Sequence, residues 1–391
     1  MLDNRVKCSI MKLNAAQKPD RRKLWFGEKA AGKREEKERG ITMRRIRRAA
    51  AGVCCLALLA GMAACKSAEE GDSKVTEPPT ATVTPTIEPT ATVTPTPTPK
   101  PTATPEPTKA PAKIEDADIP EVYKKLNKES LGKVEYIEYQ THDYFGDGAE
   151  ITKHAYVYLP PEYDEEKQYD VLYLMHGIGG DEKEWGMHNT FSTVKLSLDN
   201  LIYYGEAKPF IVVVPNGRSS ANHASTGSNF NSFYVFGQEL RNDLIPYIDA
   251  NYATYAEYSA DGYDLTAARD HRAMAGLSMG GMQTINIGLC ECLDIMSYFG
   301  AFSAAPTSNT AATIAEKLKN FEEYDIHYFY NICGLSDGTA LASARGAVTG
   351  LDALTDKLTE GENFMWQTVS GAHDFGVWNL GFYNFAQLVF Q

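Results

Sequence analysis

The sequence predicts an α/β fold: a mostly parallel central sheet with helices on both faces. Three observations lead there. From residue 114 onward, short apolar runs of strand length alternate with longer stretches of helical period. Two of the runs, 171–175 and 210–214, are continuously apolar, as buried parallel strands are. A third run, ending at Leu277, meets a helical stretch through Gly276-Leu277-Ser278-Met279-Gly280. That turn is so tight that side chains flanking the serine would collide with backbone unless they are hydrogens.

The elements follow in order. Two opening strands, 134–139 and 151–159, alternate apolar and polar side chains like strands with one exposed face. Strands at 171–175, 210–214, 273–277, 298–303, 326–333 and 364–369 come next. Helices are expected at 190–204, 233–251, 282–292, 309–321, 341–359 and 378–390. Such alternation joins parallel neighbours by crossovers and covers both faces of the sheet. Active residues of these sheets gather at the carboxyl ends of the strands.

Three segments precede this domain, which spans 114–391. Residues 1–42 are basic and polar without hydrophobic period, and read as a gene-model extension ahead of a start at Met43. Residues 43–65 have a basic head, a short apolar middle and small residues before Cys65, the pattern of a secretory signal. The apolar run is too short for a comfortable membrane span. Its end resembles a bacterial lipobox, with Cys65 as the lipidated first residue of an extracellular, membrane-anchored protein. Ordinary cleavage with Cys65 left free is the alternative. Residues 66–113 hold Thr, Pro, Ala and Glu, with 11 prolines between Pro78 and Pro111 and an eight-residue segment at Pro79 that recurs at Pro89. With no aromatics to build a core, this stretch reads as an extended tether.

Charge narrows the function. The net charge is −13, yet residues 1–65 carry 16 Lys and Arg against 6 Asp and Glu, while the remainder carries 22 against 45. So acidic an exported portion is a poor candidate for nucleic acid. Seven cysteines are present, but none are paired as CxxC. No disulfide framework, metal site or cofactor is expected, and Cys290 and Cys333 read as buried thiols.

The serine turn has the strand, sharp turn and helix that a nucleophile elbow needs. A serine hydroxyl is a weak nucleophile and requires a general base. His373, in Ser370-Gly371-Ala372-His373-Asp374, lies directly after the last strand, on a loop at the correct edge. His327 sits inside an apolar run and reads as a strand residue. Asp374 is adjacent to His373, so its side chain diverges from the ring and reads as local structure. The orienting carboxylate should follow the preceding strand, where Ile332-Cys333-Gly334-Leu335-Ser336-Asp337-Gly338 supplies Asp337. Ser278, Asp337, His373 is the chain order of the α/β-hydrolase triad. An oxyanion needs two preorganised N–H donors. Met279, at the head of the helix, offers one. Ile178, in His176-Gly177-Ile178-Gly179-Gly180, is favoured for the second, with Gly177 and Gly179 as alternatives. His176 reads as a brace for that loop.

Tyr169 to Trp185, Val214-Pro215-Asn216-Gly217-Arg218, the stretch Glu239 to Ile248, Gly276 to Gly281 and Gly371 to Phe375 together resemble family-1 carbohydrate esterases, which include feruloyl and acetylxylan esterases. The likeness covers nearly all of 120–391. It implies an α/β-hydrolase fold and serine esterase activity on esterified plant polysaccharide. The family often has Gly-Gly-His-Asp-Trp at its histidine, where this chain has Gly371-Ala372-His373-Asp374-Phe375. Trp185 is a candidate to stack on an aromatic acyl group or sugar, with Gly177 and Gly179 beside the substrate. The Ser- and Asn-rich loop 218–231, with His223 and Asn229, suits hydroxyl recognition. The reading is ester hydrolysis of feruloyl or acetyl groups on xylan through an acyl-enzyme. Acyl transfer of the mycolyltransferase-like type uses the same triad, and a non-catalytic surface glycan binder is the rival from another class.

Overall fold

A computed structural model describes residues 117–225, 229–259 and 262–391. The segments 1–42, 43–65 and 66–113, with Cys65, lie outside the described residues. Eight strands make one sheet: β1 (Lys133–His142), β2 (Glu150–Leu159), β3 (Val171–Met175), β4 (Ile211–Pro215), β7 (Arg272–Leu277), β8 (Tyr298–Phe302), β9 (Tyr328–Gly334) and β10 (Phe364–Val369). Their order is β1-β2-β4-β3-β7-β8-β9-β10. The β1–β2 and β2–β4 pairings are antiparallel, and those from β4 to β10 are parallel.

The continuous apolar runs feed two cores at once. In β3, Val171, Tyr173 and Met175 join one core cluster, while Leu172 and Leu174 join another on the opposite face. A strand alternates its side chains between faces, so a run apolar at every position is buried on both. α1 (Thr193–Tyr204) and α7 (Phe375–Leu388) cover the face of Leu172. The opposite face is covered by α2 (Phe236–Glu239) and α3 (Ile245–Asn251), which a π turn at Leu240–Leu244 joins. Pro246 explains that turn, because it has no amide to offer the carbonyl one α turn back. α4 (Met279–Gln283) runs on as a π turn at Thr284–Leu289, and α5 (Ala311–Leu318) and α6 (Leu341–Val348) complete the set.

All eight expected strands of the sheet are present. Several helix ends differ. The helix expected over 341–359 stops at Val348, since Thr349 is extended and Gly350 is left-handed at φ 70°. α7 begins at Phe375, ahead of the expected Trp378, because the Asp374 carboxylate accepts the Gly376 amide at 2.9 Å and caps it. Such a cap is worth about 1 kcal/mol. The hairpin β5 (Glu257–Ser259) and β6 (Gly262–Asp264) was not expected.

Candidate active site

β7 ends at Leu277, and the chain turns at Ser278 with φ 51° and ψ −112°. A non-glycine residue here stores strain on the order of 1–3 kcal/mol. Three backbone bonds hold it: the Ser278 amide donates to Phe302 at 2.9 Å, and its carbonyl accepts the amides of Met282 at 3.0 Å and Ala305 at 2.9 Å. Glycine is required on both sides. A Cβ on Gly276 would lie 2.6 Å from the Gly280 carbonyl carbon, and one on Gly280 would run into the Met175 carbonyl. The serine is thus pinned between β3, β8 and the head of α4.

The loops after β9 and β10 are zipped together. Leu335 donates its amide to Val369 at 2.8 Å, and Ser336 donates to Gly371 at 2.9 Å. This brings Asp337 to His373. The Asp337 Oδ2 atom is 2.8 Å from His373 Nδ1, and His373 Nε2 is 3.0 Å from Ser278 Oγ. With Nδ1–H donating to the carboxylate, Nε2 is left as the acceptor that faces the hydroxyl. The imidazole stands edge-on to Trp378, with ring centroids 5.1 Å apart. Asp337 Oδ1 accepts the amides of Thr339 at 3.0 Å and Ala340 at 2.7 Å. Burial pushes this carboxyl up, but hydrogen bonds from His373, the Ala340 amide and the Ser303 hydroxyl outweigh it and hold it below its ordinary value. The neighbouring Cys333 thiol is pushed up by burial to about 12, so it stays protonated.

The loop after β3 lies against the elbow. A Cβ on Gly177 would sit 3.4 Å from Ser278 Cβ. The Gly177 amide is already engaged, donating to Glu184 Oε2 at 2.6 Å. Among the described residues, the amide of Ile178 has no protein acceptor. Met279 is the first residue of α4, where an amide has no intrahelical acceptor. His176 is fully buried, with Nδ1 at 2.7 Å from the Gly177 carbonyl and Nε2 at 2.9 Å from the Gly217 amide. The amide can only donate, so Nε2 accepts and the proton sits on Nδ1. Burial lowers the His176 pKa to about 4. The Arg218 guanidinium, buried at 1% exposure, donates to the carbonyls of Ile178 and Gly180.

Ser278, His373 and Asp337 therefore meet, with Gly177 packed close to Ser278 and Met279 following it at the head of α4. Trp185 is a correction. It is 2% exposed, its indole N–H donates to the Met175 carbonyl at 2.9 Å, and it packs edge-on against Phe302 and Phe375. A ring spent on the core cannot stack on a ligand. The His223 ring is turned back on its own loop, 3.1 Å from the Ser220 carbonyl. Arg218, Glu184 and Ser303 are site neighbours that the sequence reading did not single out. Only for Arg218 was there a signal: a lone arginine beside the glycine of an Asn-Gly-Arg turn after a buried strand.

The sheet order, the strained elbow serine at the end of β7 and the histidine and carboxylate after β10 and β9 define an α/β-hydrolase. Residues 150–379 match the family model named Esterase, and the chain belongs to that family. It is 35% identical over 240 residues to endo-1,4-beta-xylanase Y of Acetivibrio thermocellus, covering 58% of this chain and 20% of that protein. It is 30% identical over 242 residues to an endo-1,4-beta-xylanase/feruloyl esterase of Xylanibacter ruminicola, covering 61% and 29%. The chain thus spans less than a third of these curated relatives. Among solved structures, the feruloyl esterase module from Clostridium thermocellum, a mutant in complex with sinapinate, aligns with a TM-score of 0.59 at 26% identity, covering 72% of this chain and 96% of that one.

Proposed function

We propose that the protein is a serine esterase that hydrolyses feruloyl esters on plant cell-wall xylan, with acetyl esters as the alternative acyl group. The observation that carries this reading is the unbroken contact series from Asp337 through His373 to the Ser278 hydroxyl. In this account Ser278 attacks the ester carbonyl while His373 takes its proton. Asp337 keeps the imidazole in the Nδ1–H tautomer and stabilises the imidazolium. The amides of Met279 and Ile178 receive the oxyanion. His373 then protonates the departing sugar alcohol, and water activated by the same base releases the acid.

An aromatic acyl group is supported by apolar side chains that stay exposed beside the triad. Ile178 is 50% exposed, next to Gly177, where an added Cβ would meet Ser278, and Leu335 is 56% exposed, two residues before Asp337. Phe375, two residues after His373, is partly exposed. Apolar surface left open at a polar catalytic centre favours a ligand with an apolar body. The names of the xylanase and feruloyl esterase relatives support the same substrate class. The pattern at 43–65 supports anchorage at the outer cell surface through a lipid on Cys65.

The test is product release from feruloylated arabinoxylan and acetylated xylan in parallel, with Ser278→Ala as control. Ferulate in the medium supports the aromatic reading, and acetate alone shifts it to a deacetylase. Silence on both polymers refutes the xylan substrate.

A further inference from the structure

The loop that borders Ser278 is held from outside by one buried arginine. Arg218 Nη1 donates to the Gly180 carbonyl at 2.8 Å, and Nη2 donates to the Ile178 carbonyl. The guanidinium lies over the Phe233 ring, 4.7 Å from its centroid. That ring packs with Met279 and Met282 of α4 and stands edge-on to His176. Arg218 therefore bridges the loop after β3 and the helix that carries the nucleophile.

The backbone of Arg218 is itself fixed. Its carbonyl accepts the Lys153 ammonium at 2.8 Å, as does that of Asn216, and the ammonium is paired with Glu239 at 2.7 Å, wholly out of solvent. Gln283, in α4, donates to the Gly217 carbonyl at 2.8 Å. The arginine is thus a rigid arm on a rigid base.

Peptide geometry gives the consequence. In a trans peptide the C=O and N–H point in opposite directions. The Gly177 carbonyl faces His176 Nδ1, so the Ile178 amide points away from His176. The Ile178 carbonyl faces Arg218, so the Gly179 amide points away from the guanidinium. Both peptide planes that flank Ile178 are set, one by His176 and the other by Arg218. Removing the second would let the Ile178 carbonyl rotate and carry the Gly179 amide with it, leaving the Ile178 backbone held on one side only.

We propose that Arg218 is a positioning residue that fixes the oxyanion-binding loop 177–179 by holding the carbonyls of Ile178 and Gly180, and with the first of them the peptide plane between Ile178 and Gly179. The proposal rests on the esterase reading above. A planar fork meets two carbonyls at once, which a lysine ammonium does not reproduce. Its effect belongs to the transition state, because the ester carbonyl bears little charge before attack.

The experiment compares wild type, Arg218→Lys and Arg218→Met on a soluble feruloyl ester and on an activated acetate ester. Each preparation is normalised to its folded fraction, and affinity for an arylboronic acid, which forms a tetrahedral anion on the serine, is measured alongside. Arg218→Met is expected to lower kcat by about 100-fold, the scale of one lost oxyanion donor. KM should stay within a few-fold, and boronate affinity should fall in proportion to kcat. Arg218→Lys, which keeps the charge in the slot, should fall between the two. Unchanged kcat in both variants would overturn the proposal, as would a kcat loss with boronate affinity intact. If Arg218→Met does not fold, the Lys variant alone decides by the same ratio. Wild type inactive on every ester would overturn the esterase reading, and this proposal with it.

Discussion

His373 Nε2 stands 3.0 Å from the Ser278 hydroxyl, although 95 residues separate the two in sequence. The other ring nitrogen faces a carboxylate whose remaining oxygen is saturated by two amides. Asp337 can therefore accept only at the atom that meets His373, and this fixes the tautomer. Asp337→Asn is expected to keep the fold and lower kcat by on the order of 10³–10⁴, because an amide there can stabilise the wrong tautomer. Steady-state kinetics checks this, and a variant within tenfold of wild type would contradict it.

The elbow stores strain in the service of the site. Ser278→Gly relieves a left-handed backbone at φ 51°. It should raise stability by about 1–3 kcal/mol while abolishing turnover. Denaturant unfolding measures the gain, and a destabilised variant would show that the serine side chain contributes more than its backbone costs.

His176 gives a pH dependence of stability. Its folded pKa is about 4, below the ordinary value of 6.5, because burial disfavours the charged ring. The unfolded chain therefore binds a proton that the folded chain does not. Stability from this group is fully present above about pH 6.5 and is lost as pH falls toward 4. The full loss amounts to about 3–4 kcal/mol, at about 1.4 kcal/mol per pKa unit. Unfolding free energies at pH 7.5 and 4.5 measure it. His176→Gln should flatten that part of the profile, and an equally steep slope in the variant would refute the assignment.

Lys153 and Glu239 form an ion pair with both side chains out of solvent. Tyr139 and Ser219 also donate to the carboxylate. Glu239→Gln leaves the ammonium uncompensated and should destabilise the protein by about 3–5 kcal/mol. A thermal or chemical melt tests this, with a loss under 1 kcal/mol as the contrary result.

The sheet and the serine elbow were legible for a shared reason. Buried parallel strands such as Val171–Met175 must be apolar at every position, and the elbow at Ser278 must carry glycines, so both leave a local trace. The burial of Trp185 left none, since a tryptophan on a loop reads alike whether it faces solvent or a core. Its indole finds the Met175 carbonyl only once β3, α7 and the loop have packed. Arg218 reaches partners 38 and 40 residues away, and such pairings follow from topology. The end of α6 at Val348 turned on the left-handed Gly350, which helical period alone does not reveal.

The most direct test of the account is to trap the acyl-enzyme. Wild type and Ser278→Ala would be mixed with a feruloyl ester, acid-quenched within one turnover and analysed by peptide mass spectrometry. A feruloyl adduct is expected on the peptide that contains Ser278, formed fast enough to be an intermediate, with neither adduct nor turnover in the variant. Turnover that survives in Ser278→Ala, or an adduct on another residue, would contradict it.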